Sequence, residues 1–349
     1  MIPAFRFGGN CCSHPAGPFR LGLLVRPGLC MFCPVHHLDP PLNSTTNAAP
    51  LGASAATARP EMFDSNISRL SFTADGTDDV RACIERGRPV VIDDFSAAWP
   101  ALRRWTPKRL SRRVGDRQVR VYDASFGEPG KNYMGSVDSM PFSRFLDQVL
   151  EQGRDLRMFL YNISHQVPEL LDDIGFPDIG PEFSRRFVFT FFGCRGSTTP
   201  LHYDIDMGQV FHTVILGRRR IRLFAPDQSR ALYRHPFTVR SYVDLDTPDF
   251  IAWPGLARAR GYELVLEPGQ TLFMPPGWWH EFHYLEPGIG VSLRTPAPRL
   301  GLRLRGAANL LAVSPTDRIA NRLLGQRWFS WKQRQAVRRA QQLQAKETI

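Results

Sequence analysis

In the segment Pro200-Leu201-His202-Tyr203-Asp204 an imidazole and a carboxylate stand two residues apart, and seventy-eight residues after His202 the run Trp278-Trp279-His280 supplies a second imidazole. In an extended strand, residues i and i+2 point to the same face, so His202 and Asp204 can converge on one spot. A later antiparallel strand can bring His280 opposite them. Two neutral nitrogens and one anionic oxygen on one side of a metal leave its other side open, which suits non-haem Fe(II) oxygen chemistry. A lone H-x-D triplet is weak evidence in a chain with nine histidines. Its weight comes from the strands that must carry it.

Both flanks read as strands. Val210–Leu216 and Arg220–Phe224 sit on either side of Gly217-Arg218, Tyr262–Leu266 and Thr271–Met274 on either side of Glu267-Pro268-Gly269-Gln270, and His280–Leu285 and Gly290–Arg294 on either side of Glu286-Pro287-Gly288. Short strands with regularly spaced Pro-Gly turns predict a sandwich or barrel, and the stretch 199–295 reads as a meander of hairpins. Upstream, strands are expected at Pro89–Phe95, Gln118–Tyr122, Arg157–Tyr161 and Arg186–Phe192. Short helices are expected at Asp78–Arg86, Ala97–Leu102, Thr106–Val114 and Pro141–Glu151. Residues 225–261 form an insertion of helical and loop character that can wall the substrate side. Near the C-terminus, Ser314-Pro315-Thr316-Asp317 supplies an N-cap, a first-turn proline and an acid. Gly325 ends that helix, and Ser330 caps a second one reaching about Lys346. This helical pair packs either against a second copy, giving a homodimer, or against its own barrel.

The net charge of +11 is unevenly spread. Residues 301–349 carry eight Arg and two Lys against Asp317 and Glu347, or +8, and residues 1–61 carry +2, leaving +1 for residues 62–300. The catalytic body is thus nearly neutral, and a nucleic-acid partner is not expected at the site. Residues 1–61 are rich in Pro, Gly, Ala and Ser and contain no Lys. They read as a disordered extension or as sequence ahead of a true start at Met62. Cys11, Cys12, Cys30 and Cys33, with His36 and His37, resemble half a zinc site without the usual companion spacing, so no zinc is expected there. Only Cys83 and Cys194 lie in the body, too few for a disulfide framework. With no apolar run of ~20 residues, no membrane span is expected, and the protein is read as cytoplasmic.

Several motifs in order carry a family resemblance. Arg88-Pro89-Val90-Val91-Ile92, Trp99-Pro100-Ala101, Thr199 through Asp204, Gly217-Arg218-Arg219-Arg220, Leu223-Phe224-Ala225-Pro226, Gly261-Tyr262-Glu263 and Pro268-Gly269 through His280 resemble the cupin-like JmjC oxygenases, in particular those similar to the asparaginyl hydroxylase that inhibits hypoxia-inducible factor. The resemblance covers residues 65–300. It implies a mainly β double-stranded β-helix (jelly-roll) barrel over residues 62–300, with N-terminal α/β elements and a basic C-terminal helical segment. It also implies Fe(II) on His202, Asp204 and His280, and 2-oxoglutarate as co-substrate. The expected reaction is hydroxylation of a side chain in a protein or peptide, with no catalytic side chain assigned beyond the metal ligands. A catalytically silent binding or assembly protein is the alternative.

The distal carboxylate of 2-oxoglutarate needs a cation and a hydroxyl donor. Where the family has a lysine, two residues after the hairpin glycine, this chain has Arg219, which grips carboxylates bidentately but is not interchangeable with lysine. Thr199 matches the hydroxyl donor, Arg294 is a second candidate cation, and Tyr161 is a candidate phenol, although strict alignment places Phe159 nearer that position. His212 is read as a structural histidine, His283 as facing away from the metal, and Trp278 and Trp279 as packing residues.

Overall fold

The computed structural model of the chain describes residues 61–73, 76–128 and 136–345. Expectations about residues 1–60, including the cysteine–histidine set and the alternative start, fall outside them. In chain order the strands are β1 (Phe63–Asp64), β2 (Arg69–Leu70), β3 (Val90–Ile92), β4 (Gln118–Val121), β5 (Asp138–Pro141), β6 (Arg157–Asn162), β7 (Phe189–Gly193), β8 (Thr198–His202), β9 (Gln209–Leu216), β10 (Arg219–Phe224), β11 (Gly261–Leu266), β12 (Thr271–Met274), β13 (Trp279–Tyr284) and β14 (Gly288–Thr295). The helices are α1 (Gly76–Arg86), α2 (Ala101–Arg104), α3 (Pro107–Val114), α4 (Phe142–Leu146), α5 (Ile163–Gln166), α6 (Leu300–Ala308), α7 (Ser314–Leu324) and α8 (Gln326–Ala345).

The last eight strands divide four and four. One sheet runs β2-β3-β12-β9-β14-β7-β6, the other β1-β11-β10-β13-β8, and β4-β5 form a separate ribbon. Strands on either side of the short turns, β9 and β10, β11 and β12, β13 and β14, therefore lie in different sheets rather than in hairpins. This corrects the meander and leaves the jelly roll. Each short turn carries the chain across the barrel edge, because every strand must bury one face against the opposite sheet.

Alternation then sorts the side chains. In β14, Ile289, Val291 and Leu293 join the outer core beneath the N-terminal helices, while Gly290, Ser292 and Arg294 face the barrel interior. In β9, Phe211 and Ile215 face outward and Val210 and Val214 inward. The outer core is aromatic: Phe211 stacks on Phe95 at 5.8 Å and meets Phe183 edge-on at 5.0 Å. A sheet buried on both faces reads as an almost continuous apolar run, as β9 does.

An acidic anchor ties the N-terminal segment to this core. Asp94 accepts from the backbone N–H of Phe72 (2.7 Å) and Thr73 (3.0 Å) and from the hydroxyls of Ser71 and Thr73. Burial would raise its pKa, but these hydrogen bonds bring it down from 3.8 to about 2. A carboxyl depressed in the folded state stabilises fully above its unfolded pKa and loses that contribution as pH falls through the folded one. Stability should therefore decline between about pH 4 and pH 2, and Asp94→Asn should flatten that part of a chemical-denaturation profile while lowering stability at neutral pH.

The C-terminal helices start earlier than the Ser314 cap suggests. α6 begins at Leu300 and continues through a π turn, Asn309–Val313, into α7. Ser314 has helical dihedrals (φ −67°, ψ −44°) and is not a cap. Pro315 cannot donate to the carbonyl four residues back and its ring crowds that oxygen, and the widened turn just ahead relieves both. α8 likewise starts at Gln326 rather than at Ser330. It packs on its own barrel, with Ala336 and Ala340 in the cluster around Tyr203 and Trp279. Among the described residues, no helix is long and apolar enough to cross a membrane.

Candidate active site

The triad is assembled by strand register. β13 pairs antiparallel with β8, placing His280 directly across from His202, with ring centroids 4.3 Å apart. Asp204 lies two residues beyond the end of β8. One ligand atom each from His202, Asp204 and His280 all lie within 4.8 Å of one another.

Each imidazole is oriented by a carbonyl. Nδ1 of His202 lies 2.8 Å from the Pro200 oxygen, and Nδ1 of His280 lies 3.1 Å from the Trp278 oxygen. A carbonyl can only accept, so each Nδ1 carries the hydrogen and each Nε2 keeps a lone pair for a metal. Burial, then the neighbouring His280, hold the His202 pKa down at about 3, and burial lowers that of His280. Burial alone would raise Asp204, but the charge of Arg294 and its hydrogen bond hold it at about 2. The set is thus neutral, neutral and anionic at neutral pH, as divalent-metal ligation requires. Arg294 donates to Asp204 Oδ2 at 2.9 Å and also grips Asp206. That leaves the other Asp204 oxygen for a metal.

A cavity of about 610 Å³ opens over the triad. At its inner end lies Arg219, only 1% exposed. Its Nη1 donates to His212 Nε2 (2.8 Å), its Nη2 to the Phe191 carbonyl (3.3 Å), and its guanidinium lies 4.1 Å from the Tyr284 ring centroid. Nε has no partner, and among the described residues no carboxylate forms an ion pair with Arg219. Because Arg219 only donates, His212 Nε2 must accept, and its Nδ1–H then donates to Ser292 Oγ at 2.9 Å. Room for the guanidinium comes from Gly290, where a Cβ would stand 2.3 Å from Nη1.

The sequence candidates distribute unevenly. Thr199, Arg219 and Arg294 line the cavity with the triad, but Arg294 is engaged by two carboxylates, a different task from holding a co-substrate. Tyr161 is not among the lining residues. Its ring packs near Phe142 (6.1 Å) and burial pushes its hydroxyl up to about 12, while Phe159 and Leu160 line the cavity instead. Leu160 takes φ +52° at an irregularity between Met158 and Tyr161, and Tyr161 is left outside the lining. His212 faces the cavity and is also fully hydrogen-bonded. His283 is outside the lining, and Trp279 is buried against Tyr203. Sequence reasoning missed Ser292 and Tyr284; the signal for Ser292 is a polar side chain on the inward face of an apolar strand, and that for Tyr284 is its place four residues after His280 on the same face of β13.

Comparison with known proteins gives the family. A cupin-like domain model matches residues 78–293, more than half of the chain. Lysine-specific demethylase 8 of Xenopus tropicalis is 30% identical over 217 residues, covering 59% of this chain and 47% of that protein. Lysine-specific demethylase JMJ30 of Arabidopsis thaliana is 33% identical over 221 residues, 59% of this chain and 49% of that protein. The chain belongs to the cupin-like family that includes the JmjC domains. It is also 30% identical over 230 residues to tRNA wybutosine-synthesizing protein 5 of Danio rerio, 59% of this chain and 68% of that protein. The matched stretch spans about half the length of the two demethylases.

JmjC oxygenases use Fe(II) and 2-oxoglutarate, and this site fits both. The donor set suits iron, and a buried guanidinium with an orphaned Nε and no carboxylate suits a dianionic co-substrate. The outer wall of this site is supplied by the π turn Asn309–Val313 and by α7. Asn309 donates to the Ile205 carbonyl at 3.0 Å, and a Cβ on Gly306 would stand 2.1 Å from the Asp206 carbonyl oxygen. The C-terminal segment thereby braces the loop that carries Asp204. Gly306→Val should push α6 off that loop and weaken Fe(II) binding ~10–100-fold, the usual effect of losing support behind a metal ligand. Isothermal titration with Fe(II) under anaerobic conditions checks it.

Proposed function

We propose that the protein is an Fe(II)- and 2-oxoglutarate-dependent hydroxylase of a side chain in a protein or peptide. The observation that carries the reading is one cavity holding both the His202–Asp204–His280 triad and the buried, carboxylate-free guanidinium of Arg219. His202 and His280 would bind the metal through Nε2, and Asp204 through the oxygen that Arg294 leaves free. Arg219 and the Thr199 hydroxyl would hold the distal carboxylate of the co-substrate, with His212 fixing the guanidinium. When bound, iron and 2-oxoglutarate let O₂ place one atom in a substrate C–H bond and the other in succinate, with release of CO₂. Phe159, Phe191 and Phe282 give the same cavity an apolar lining.

A protein substrate is supported by relatives named for lysine demethylation and by a cavity that continues past the metal between α7 and residues 237–242. The motif order shared with asparaginyl hydroxylases supports hydroxylation as the outcome. A succinate-release screen of peptide fractions, run against His202→Ala, tests it. Peptide-stimulated succinate and a +16 Da product are expected with the wild type only, and a silent wild type would sink the reading.

A further inference from the structure

The positive charge that reads in sequence as a remote tail is placed by the fold at the mouth of the cavity. Arg318, Arg322 and Lys332 line it together with Arg240. Lys332 is held by Asp317 at 2.7 Å, Arg294 by Asp204 and Asp206, and Arg219 faces the co-substrate end. Among the described residues, Arg318 and Arg322 form no ion pair. Arg240, 7% exposed and set against the Tyr242 ring at 5.2 Å, bridges to His202 through its backbone and adds charge beside the metal. Asp204 and Asp317 are the acids in the lining, and both face cations already. The outer chamber is therefore electropositive.

Its wall is also apolar in part, at Leu310 and Val313. On α7 and the π turn before it, the cavity face repeats at helical spacing, Leu310, Val313, Asp317 and Asn321. On the solvent side of the same helices, Leu311 is 80% exposed, Ile319 60% and Leu323 75%. Arginines alone would suit any polyanion. A nucleic-acid backbone, however, would neutralise the arginines and leave the leucines in water, whereas several large apolar side chains exposed on one helical segment suit a polypeptide partner. A polypeptide carrying both carboxylates and apolar side chains satisfies both features at once.

We propose that the outer chamber and the adjoining surface of the π turn and α7 dock a substrate segment rich in acidic and apolar residues, its carboxylates on Arg318 and Arg322 and its apolar side chains on Leu311 and Ile319, so that a target side chain enters toward the triad. The inference rests on the hydroxylase reading for the chemistry done on the docked segment, but docking itself needs neither iron nor turnover.

Fluorescence anisotropy of the full chain, without metal or co-substrate, tests it with three labelled probes: a short peptide of Glu, Leu and Ala, the same peptide with Lys for Glu, and a single-stranded RNA of equal length. The Glu peptide should bind at least ~10-fold tighter than the Lys peptide, and the double variant Arg318→Glu/Arg322→Glu should reverse that order. Leu311→Asp should weaken the Glu peptide by about 10-fold, since burying a leucine-sized apolar surface is worth roughly that factor. These side chains lie on the surface, and circular dichroism confirms that the variants fold. Equal binding of the two peptides would overturn the proposal. So would tightest binding of RNA with indifference to Leu311→Asp, or self-association abolished by Leu311→Asp with no peptide bound. Succinate formation by the wild type, measured separately, reports on the hydroxylase reading alone.

Discussion

His202→Ala is expected to lose Fe(II) binding and all 2-oxoglutarate turnover while keeping its fold. Support behind a metal ligand is worth ~10–100-fold in affinity, so removing one of three ligands should cost more than ~100-fold. The imidazole lines a cavity rather than the aromatic core, and its pKa is already pressed to about 3 by burial beside His280. Its loss should therefore move Tm little. Asp204→Ala should be equally inactive but less stable. Arg294, with an 11% exposed side chain, would keep only Asp206, and losing one charged hydrogen-bond partner costs roughly 1–3 kcal/mol. Anaerobic Fe(II) titration paired with thermal denaturation of both variants checks the contrast. Equal Tm values would show that Arg294 does not depend on Asp204.

Arg219→Met should raise the dissociation constant for 2-oxoglutarate by at least ~30-fold, corresponding to about 2 kcal/mol, the low end for truncating a buried charge partner. Arg219→Lys should retain more affinity than the methionine variant, since an ammonium still supplies charge but loses the second parallel hydrogen bond. Gly290→Ala makes the same point from the other side. A Cβ 2.3 Å from Arg219 Nη1 and 2.9 Å from His212 Cε1 must displace the guanidinium without deleting it. It should weaken 2-oxoglutarate while leaving Fe(II) affinity near wild type. Unchanged 2-oxoglutarate affinity in Arg219→Met would assign the co-substrate to another cation.

The triad was legible because it depends on local regularities. Asp204 follows His202 at i+2 just past the end of β8, and antiparallel return of Trp279–Tyr284 brings His280 across from His202. Arg219 was legible through its place after Gly217, although its contact with His212 depends on strands that face each other only after folding. Tyr161 was misplaced because Leu160 adopts a left-handed φ of +52°, which a leucine rarely does and no pattern announces. The Arg294–Asp204 pair spans ninety residues of sequence, and its single hint was a charged residue inside the apolar strand Gly288–Thr295. Ser314-Pro315 resembles a helix start so well that α6, weakened in propensity by Gly301 and Gly306, went unseen. Charge was counted correctly but located wrongly. Residues 301–349 are distant from His202 in sequence, yet side chains from Asn309 to Lys332 line its cavity in space.

Anaerobic addition of Fe(II) and then 2-oxoglutarate, monitored by visible absorption, tests the central claim that the triad and Arg219 form one working centre. A metal-to-ligand charge-transfer band should develop at one equivalent of each in the wild type, fail to form in His202→Ala, and require higher 2-oxoglutarate in Arg219→Met. Admitting O₂ should bleach the wild-type band as succinate forms. A wild type that shows neither band nor succinate would contradict the account.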